Sequence, residues 1–367
     1  MLGKPAEFTR RLLHWYARDR RDLPWRVSRS AAPGTLPDPY FVLISESMLQ
    51  QTQVATVIPY FLRFVERFPT LVALAAAEEQ EILRLWQGLG YYSRARNLHG
   101  TAKIVVERFG GVLPSQLEQL LELPGVGRYT AGAIASLAFD QREAILDGNV
   151  ARVLCRLDRI EGDPRSTAIR NHLWQRAKEI LPGQRVGDFN SGLMELGATI
   201  CTPRNPKCML CPVQRHCEAF VQQLQERIPA PAPAKARPLE QRWTFCIHHQ
   251  SRWLIEQRPL KGRWGGLWQF VTVPANNTSP TNDLIAECIG LKVSNPRPLA
   301  QVTHELTHRR YEFDVFWCSL TTPAASIAAA AAAWGAPRIW VPLERLSDYP
   351  LPRPHLRIAL LLKELAP

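Results

Sequence analysis

The chain has 367 residues, 46% of them hydrophobic, which suits two domains that each bury their own core and argues against overall disorder. Its 45 Lys and Arg against 33 Asp and Glu leave a net charge of +12, shared evenly between the segments before and after residue 224, and point to a polyanionic partner. The Arg-rich segment Met1 to Arg26 has no apolar signal-peptide core, and the longest apolar run, around Ile327 to Trp334, is mostly alanine, so no membrane span is expected.

In chain order, apolar spacings of three and four from Pro5 to about Gln223 predict an all-α first domain, 1–223, as in Phe61-Leu62-x-x-Val65 and Ile82-Leu83-x-Leu85-Trp86. Within it, Val27 to Pro37 reads as a surface loop. Asp38-Pro39 then signals a helix start, predicting a helix over Phe41 to Val54. Leu123-Pro124-Gly125-Val126-Gly127 predicts a hairpin between helices, followed by a small-residue helix from Thr130 to Ala138. Asp147-Gly148-Asn149 predicts an N-cap for an apolar helix, Val150 to Leu157. The proline-alternating run Ala230 to Pro238 marks an extended linker, 224–240. Beyond it, Trp243 to His248, Trp253 to Ile255, Leu267 to Val273 and the period-two run Tyr311, Phe313, Val315, Trp317 read as strands of an α+β domain, 241–367.

Three features carry chemistry. Cys201-x6-Cys208-x2-Cys211-x5-Cys217 can wrap four thiolates around one centre; a disulfide framework belongs to much smaller secreted domains, and the single Cys-x2-Cys half with the Cys211-Pro212 step favours iron-sulfur over zinc. Cys155, Cys246, Cys288 and Cys318 lie scattered among apolar residues as structural thiols, as expected in a reducing cytoplasm. The hairpin glycines place free backbone NH groups at a helix N-terminus, where a DNA phosphate can bind. Finally, Glu46 has Val42, Leu43, Leu49 and Gln50 three and four residues away. Desolvation on that face should raise its pKa and keep it protonated, whereas the capping bonds of Asp147 should hold that carboxyl ionised, a split that separates an acid from a charge stabiliser.

Several ordered segments resemble the helix-hairpin-helix DNA glycosylases with a 4Fe-4S cluster, and among them the adenine DNA glycosylases of the MutY type. The segments are Leu23-Pro24-Trp25-Arg26, Ser45 to Val54, Gly88 to Leu98, Leu123 to Gly132, Asp147 to Val150 and the cysteine loop. The resemblance implies a multidomain α and α+β protein, in which a helix-hairpin-helix domain with an iron-sulfur loop precedes a Nudix-like domain. It implies removal of adenine mispaired with 8-oxoguanine or guanine, with Glu46 protonating the base, Asp147 stabilising an oxocarbenium-like sugar, and Tyr129 and Asn149 completing the catalytic set. Cys201, Cys208, Cys211 and Cys217 would hold the 4Fe-4S cluster, and Arg26, Gln50, Gln51, Tyr91, Gly125, Gly127, Thr307 and His308 would contact DNA. The partner implied is double-stranded DNA carrying mispaired adenine, bound by a monomer in a bacterial cytoplasm. Tyr129 stands where strand-cutting endonuclease III-like relatives carry the lysine that forms a Schiff base, so the resemblance implies a monofunctional enzyme, and Ala151 replaces a second lysine common in the family.

His304-Glu305-Leu306-Thr307-His308 fits the HExxH zinc pattern, which needs a helix, yet the alternation downstream indicates strand. The resemblance gives Leu306-Thr307-His308 a different part, in the place of a Phe-Ser-His segment that reads 8-oxoguanine. Around Glu287 the Nudix box is too depleted of carboxylates to hold its metal ions. Two alternatives stay open: an endonuclease III-like glycosylase for oxidised pyrimidines, and a noncatalytic DNA-binding protein with a metal clip.

Overall fold

The structure is a computed structural model and describes residues 5–32, 34–230, 236–276, 279–294, 296–306, 308–322 and 337–365. Its described residues gather into two compact units, one drawn from 1–77 and 97–233, the other from 78–96 and 234–367. Among them, no helix is long and apolar enough to cross a membrane.

The helices run α1 Pro5–Asp19, α2 Pro39–Leu49, α3 Val54–Arg67, α4 Leu71–Ala75, α5 Glu79–Leu85, α6 Ser93–Phe109, α7 Leu117–Leu121, α8 Arg128–Phe139, α9 Gly148–Leu157, α10 Thr167–Glu179, α11 Val186–Thr199 and α12 Glu218–Val221. In the first unit, α8 packs on α2 and α11, while α1 and α9 also pack on α11. Phe8, Leu12, Val150, Leu154, Phe189, Leu193 and Leu196 lie in the core between them. Two glycines set the spacing of this centre. A Cβ on Gly187 of α11 would stand 2.5 Å from the carbonyl oxygen of Ser136, and one on Gly132 of α8 would stand 2.6 Å from that of Ala144. The buried amide of Asn190 then reaches the hydroxyl of Ser136 at 2.9 Å and the carbonyl of Glu143 at 2.9 Å, so this close approach leaves the polar groups partnered.

The expected helix over Phe41 to Val54 is two helices. Asp38 caps α2 by accepting the Tyr40 N–H at 2.8 Å, as its sequence signal implies. But α2 stops at Leu49, and Gln51 takes a left-handed backbone, φ +58°, before α3 begins at Val54. Gln50 and Gln51 therefore sit on a break facing the cleft described below, and not on a helical face.

In the second unit a six-stranded sheet has the order β4-β5-β1-β3-β2-β6, with β1 Leu239–His249, β2 Arg252–Gln257, β3 Trp268–Pro274, β4 Arg297–Leu306, β5 Arg309–Ser319 and β6 Arg338–Pro342. Only the β1–β5 pairing is parallel. One face buries Trp253, Phe270, Phe313 and Val315 with the helix Arg353–Leu365, and the other buries Trp243, Phe245 and Val271 with α13 Asn282–Ile289. Strands β4 and β6 and both of these helices escaped the sequence pattern. His304 lies on β4 opposite Tyr311 of β5, so His304 to Leu306 of the HExxH run are strand and not helix, as the alternation required. The segment 78–96 joins this unit through hydrogen bonds from Arg96 Nη1 to the Gly265 carbonyl at 2.6 Å and from Gln87 Nε2 to the Leu351 carbonyl at 2.9 Å.

Since no side chain at 187 fits without moving backbone, Gly187→Ala is expected to destabilise the first unit by about 1–3 kcal/mol. Calorimetry should show one thermal transition moving down while that of the sheet unit stays, and two unmoved transitions would contradict the spacing argument.

Candidate active site and cysteine loop

A cleft of about 1140 Å³ opens in the helical unit, lined by residues of the 27–37 loop, α2, the break at Gln50 to Gln53, Tyr129, the Asp147-Gly148-Asn149 turn and α11. Glu46 enters it from α2 with only 6% of its surface exposed. Burial pushes its carboxyl up to about 7, and the nearby Asp147 adds to the effect. The Tyr129 hydroxyl, donating to Oε2 at 2.7 Å, and the field of Arg26 pull the other way. Burial, with Glu46 beside it, raises the Tyr129 phenol well above its ordinary value, so it stays a neutral donor.

Asp147 caps α9 as expected. One carboxylate oxygen accepts the Val150 N–H at 2.7 Å and the other accepts the Asn149 amide at 2.9 Å. The expected fall in its pKa does not occur. Burial outweighs the bonds from Val150 and Asn149 and the field of Arg152, and the carboxyl is raised. The contrast between the two acids survives in their partners: Glu46 has one hydrogen-bond donor, whereas Asp147 is held by Val150 and Asn149, which both favour its anion.

In the wall of the cleft lies a charge cluster that local sequence patterns do not disclose. Glu195 of α11 is fully buried and accepts from Arg21 Nε at 2.7 Å, Arg21 Nη2 at 2.9 Å and Arg26 Nη2 at 2.8 Å. Burial alone would raise its carboxyl; the hydrogen bonds from Arg21 and the charge of Arg26 hold it at about 2. Arg26, expected on DNA, lines the cleft and donates to Glu195 and to the Arg21 carbonyl, with its field on Glu46. Glu195 is separated from these arginines by more than 160 residues of sequence, so only folding reveals the group.

Helix α9 joins the Asp147 turn to the cysteine loop. Arg152 donates to Asn149 Oδ1 at 2.9 Å, to the Gly197 carbonyl at 2.7 Å and to the Cys201 carbonyl at 2.8 Å. One turn later Arg156, almost wholly buried, donates to Cys201 Sγ at 3.2 Å and to the Thr202 carbonyl at 2.7 Å. A Cβ on Gly197 would come within 2.6 Å of the Asn149 Cβ, so Gly197 lets α11 close on the turn.

Four free thiols within one loop are soft donors that suit a thiophilic metal centre. Burial pushes the Cys211 thiol up to about 12 and the Cys217 thiol up to about 11, and repulsion from Cys201 and Cys208 adds to both, so these two sulfurs need cations beside them to become thiolates. Backbone N–H groups of Val213 and Phe220 and the guanidinium of Arg156 already point at these sulfurs. Arg204 and Lys207 of the same loop are exposed.

The hairpin matches its sequence. Gly125 needs its left-handed φ of +74°, and a side chain there would strike Asn97; Gly127 caps α8 with open space where a Cβ would lie, leaving the helix N-terminus accessible. In the sheet unit, Tyr91 is 42% exposed on a left-handed backbone. His308 accepts at Nε2 from Arg263 Nη2 at 2.8 Å, a direction fixed because guanidinium has no acceptor, while Thr307 lies outside the described residues.

Residues 44–179 match the family model of the HhH-GPD superfamily base excision DNA repair protein, 201–217 the iron-sulfur binding domain of endonuclease III, and 242–361 the NUDIX domain. The chain is 38% identical to the mouse (Mus musculus) adenine DNA glycosylase, over 89% of its own length and 73% of that protein's. It is 37% identical to the adenine DNA glycosylase of Buchnera aphidicola subsp. Acyrthosiphon pisum, over 72% of this chain and 73% of that one. Among solved structures, a thermostable thymine-DNA glycosylase is similar with a TM-score of 0.52 and 32% identity, covering 59% of this chain and 97% of that one.

Because Arg152 ties Asn149 to the loop carbonyl of Cys201, Arg152→Gln is expected to weaken the hold on Asp147 while Arg156 keeps the cluster. The variant should retain brown colour and lose about tenfold or more in base removal, the scale of a lost charge-assisted hydrogen bond. Visible absorption alongside single-turnover assay checks it, and unchanged removal would show that the turn stands without Arg152.

Proposed function

This chain belongs to the family of adenine DNA glycosylases, enzymes of base excision repair, and on that premise we propose that it removes adenine paired with 8-oxoguanine or guanine by a monofunctional mechanism, acting as a monomer on duplex DNA. The observation that carries this reading is the pair of unlike carboxyls in one cleft: Glu46, raised to about 7 with a single neutral donor, and Asp147, bound through both oxygens. A 4Fe-4S cluster on Cys201, Cys208, Cys211 and Cys217 belongs to the scaffold; when bound, it supplies positive charge that holds the loop as thiolates.

The chemistry follows from these residues. The cleft takes an adenine rotated out of the DNA stack, because its N-glycosidic bond is inaccessible inside a duplex. Glu46 gives its proton to a ring nitrogen of the base. As the bond between C1′ and N9 breaks, its electron pair passes to the departing adenine and positive charge develops on the sugar. Asp147, with Asn149 bracing it, lies against that charge, and water then adds to C1′ and releases a proton. The Tyr129 hydroxyl orients Glu46 and keeps its proton available. Tyr129 and Ala151 offer no amine for an imine, so strand cutting is not part of the cycle.

Gln50 and Gln51 at the α2 break, exposed Tyr91 and the open hairpin at Gly125 and Gly127 are assigned to holding and parting the strands. Thr307 and His308 are assigned to the opposing lesion, His308 with its tautomer set by Arg263.

The pH profile follows from the sign of the Glu46 shift. Below about pH 7 the carboxyl is protonated and single-turnover excision should be level; above it the acid is lost and the rate should fall about tenfold per pH unit. Glu46→Gln keeps the shape without the proton and should lose about a hundredfold or more while still binding mispaired DNA. A profile still level at pH 9 would remove Glu46 as the acid.

Substrate class is tested with defined duplexes followed by alkali. Cleavage is expected at adenine opposite 8-oxoguanine or guanine, with no break before alkali and no adduct trapped by borohydride. Thr307→Ala with His308→Ala should reduce the preference for 8-oxoguanine over guanine while sparing excision from pre-bound substrate. Cutting at oxidised pyrimidines alone would replace this reading with the endonuclease III-like one.

A further inference from the structure

The loop that presents Tyr91 is held by two buried side chains, Trp86 and Arg94. Tyr91 carries φ +48°, a left-handed backbone that costs a residue with a Cβ, yet its ring is 42% exposed and gains little burial in return. Both peptide planes flanking it are fixed by residue 94. Arg94 Nη2 donates to the Gly90 carbonyl at 3.0 Å, which fixes the plane before Tyr91, and the Arg94 backbone N–H donates to the Tyr91 carbonyl at 2.9 Å, which fixes the plane after it. The Gly90 carbonyl also accepts from Trp86 Nε1 at 3.1 Å, and Arg94 Nη2 reaches the Leu89 carbonyl at 3.3 Å. The guanidinium lies between the Trp86 ring, 5.5 Å from its centroid, and the Tyr91 ring, 5.4 Å from its centroid. Arg94 is only 8% exposed, and burial lowers its pKa to about 10, which leaves it cationic at neutral pH.

We propose that Arg94 is a positioning residue that sets Tyr91 as a rigid wedge before DNA arrives, so that the ring enters the base stack without first having to order its loop. The proposal rests on the reading of Tyr91 as a strand-parting residue and adds the part that holds it ready. Ordering a left-handed tyrosine at the moment of insertion would otherwise be subtracted from the free energy available to unstack the target. Lysine cannot replace the arginine, because one ammonium cannot lie flat between two rings while donating to two adjacent carbonyls.

The test is single-turnover excision with enzyme in excess, on a duplex carrying adenine opposite 8-oxoguanine and on a duplex in which the adenine is already bulged from the stack. Arg94→Lys should slow excision about tenfold on the paired duplex, the scale of the left-handed penalty, and by no more than about twofold on the bulged one. Under these conditions the rate ratio does not depend on how much of the variant is folded. Adding Arg94→Lys to Tyr91→Ala should slow the paired duplex no further than Tyr91→Ala alone. Equal slowing on both duplexes, or an additive loss in the double variant, would overturn the clamp while leaving the wedge. A Tyr91→Ala enzyme that matches the parent on the paired duplex would overturn both.

Discussion

Helix α9 is the member on which the site depends, because its N-cap is Asp147 and its body grips the cysteine loop. A carboxylate capping a helix is held to hydrogen-bond tolerance, and here the Val150 N–H and the Asn149 amide occupy one oxygen each. Three and seven residues past Asn149, Arg152 and Arg156 carry that order to Cys201 through its carbonyl and its sulfur. Gly197 completes the arrangement by giving α11 room to close on the turn. Through α9, the order of the cysteine loop and the order of the Asp147 turn are thus coupled.

Glu46 is governed by the opposite constraint. It is withdrawn from water with a single neutral donor, and the nearest cation, Arg26, is turned toward Glu195. Glu195 and Arg21 keep Arg26 within reach electrically without letting it pair with the acid. If Arg26 swung free and paired with Glu46, it would hold that carboxyl ionised and the proton would be gone.

What the sequence disclosed was local. Asp38, Asp147 and the Leu123 to Gly127 hairpin are signals whose partners lie within a few residues, and the four cysteines fall inside one loop. Features built from distant residues were hidden, such as the Glu195 cluster and the closeness of Gly197 to Asn149. The run to Val54 reads as one helix because Asp38-Pro39 marks its start and no glycine or proline marks a stop before Val54, and nothing in a polar Gln50-Gln51 pair announces a left-handed residue. Strands β4 and β6 were missed for a different reason: β4 is largely exposed, and its polar residues blur the period-two signal. The direction of the Asp147 shift was misjudged because its hydrogen bonds were foreseeable and its depth was not.

The raised carboxyl of Glu46 also bears on how such an enzyme searches. A protein scanning a long stretch of undamaged DNA meets its substrate rarely, and at neutral pH a carboxyl balanced at about 7 already carries its proton in a large share of the molecules in transit. On the reading of Glu46 as the acid, the reagent travels with the scanner and need not be drawn from solvent once a target is met.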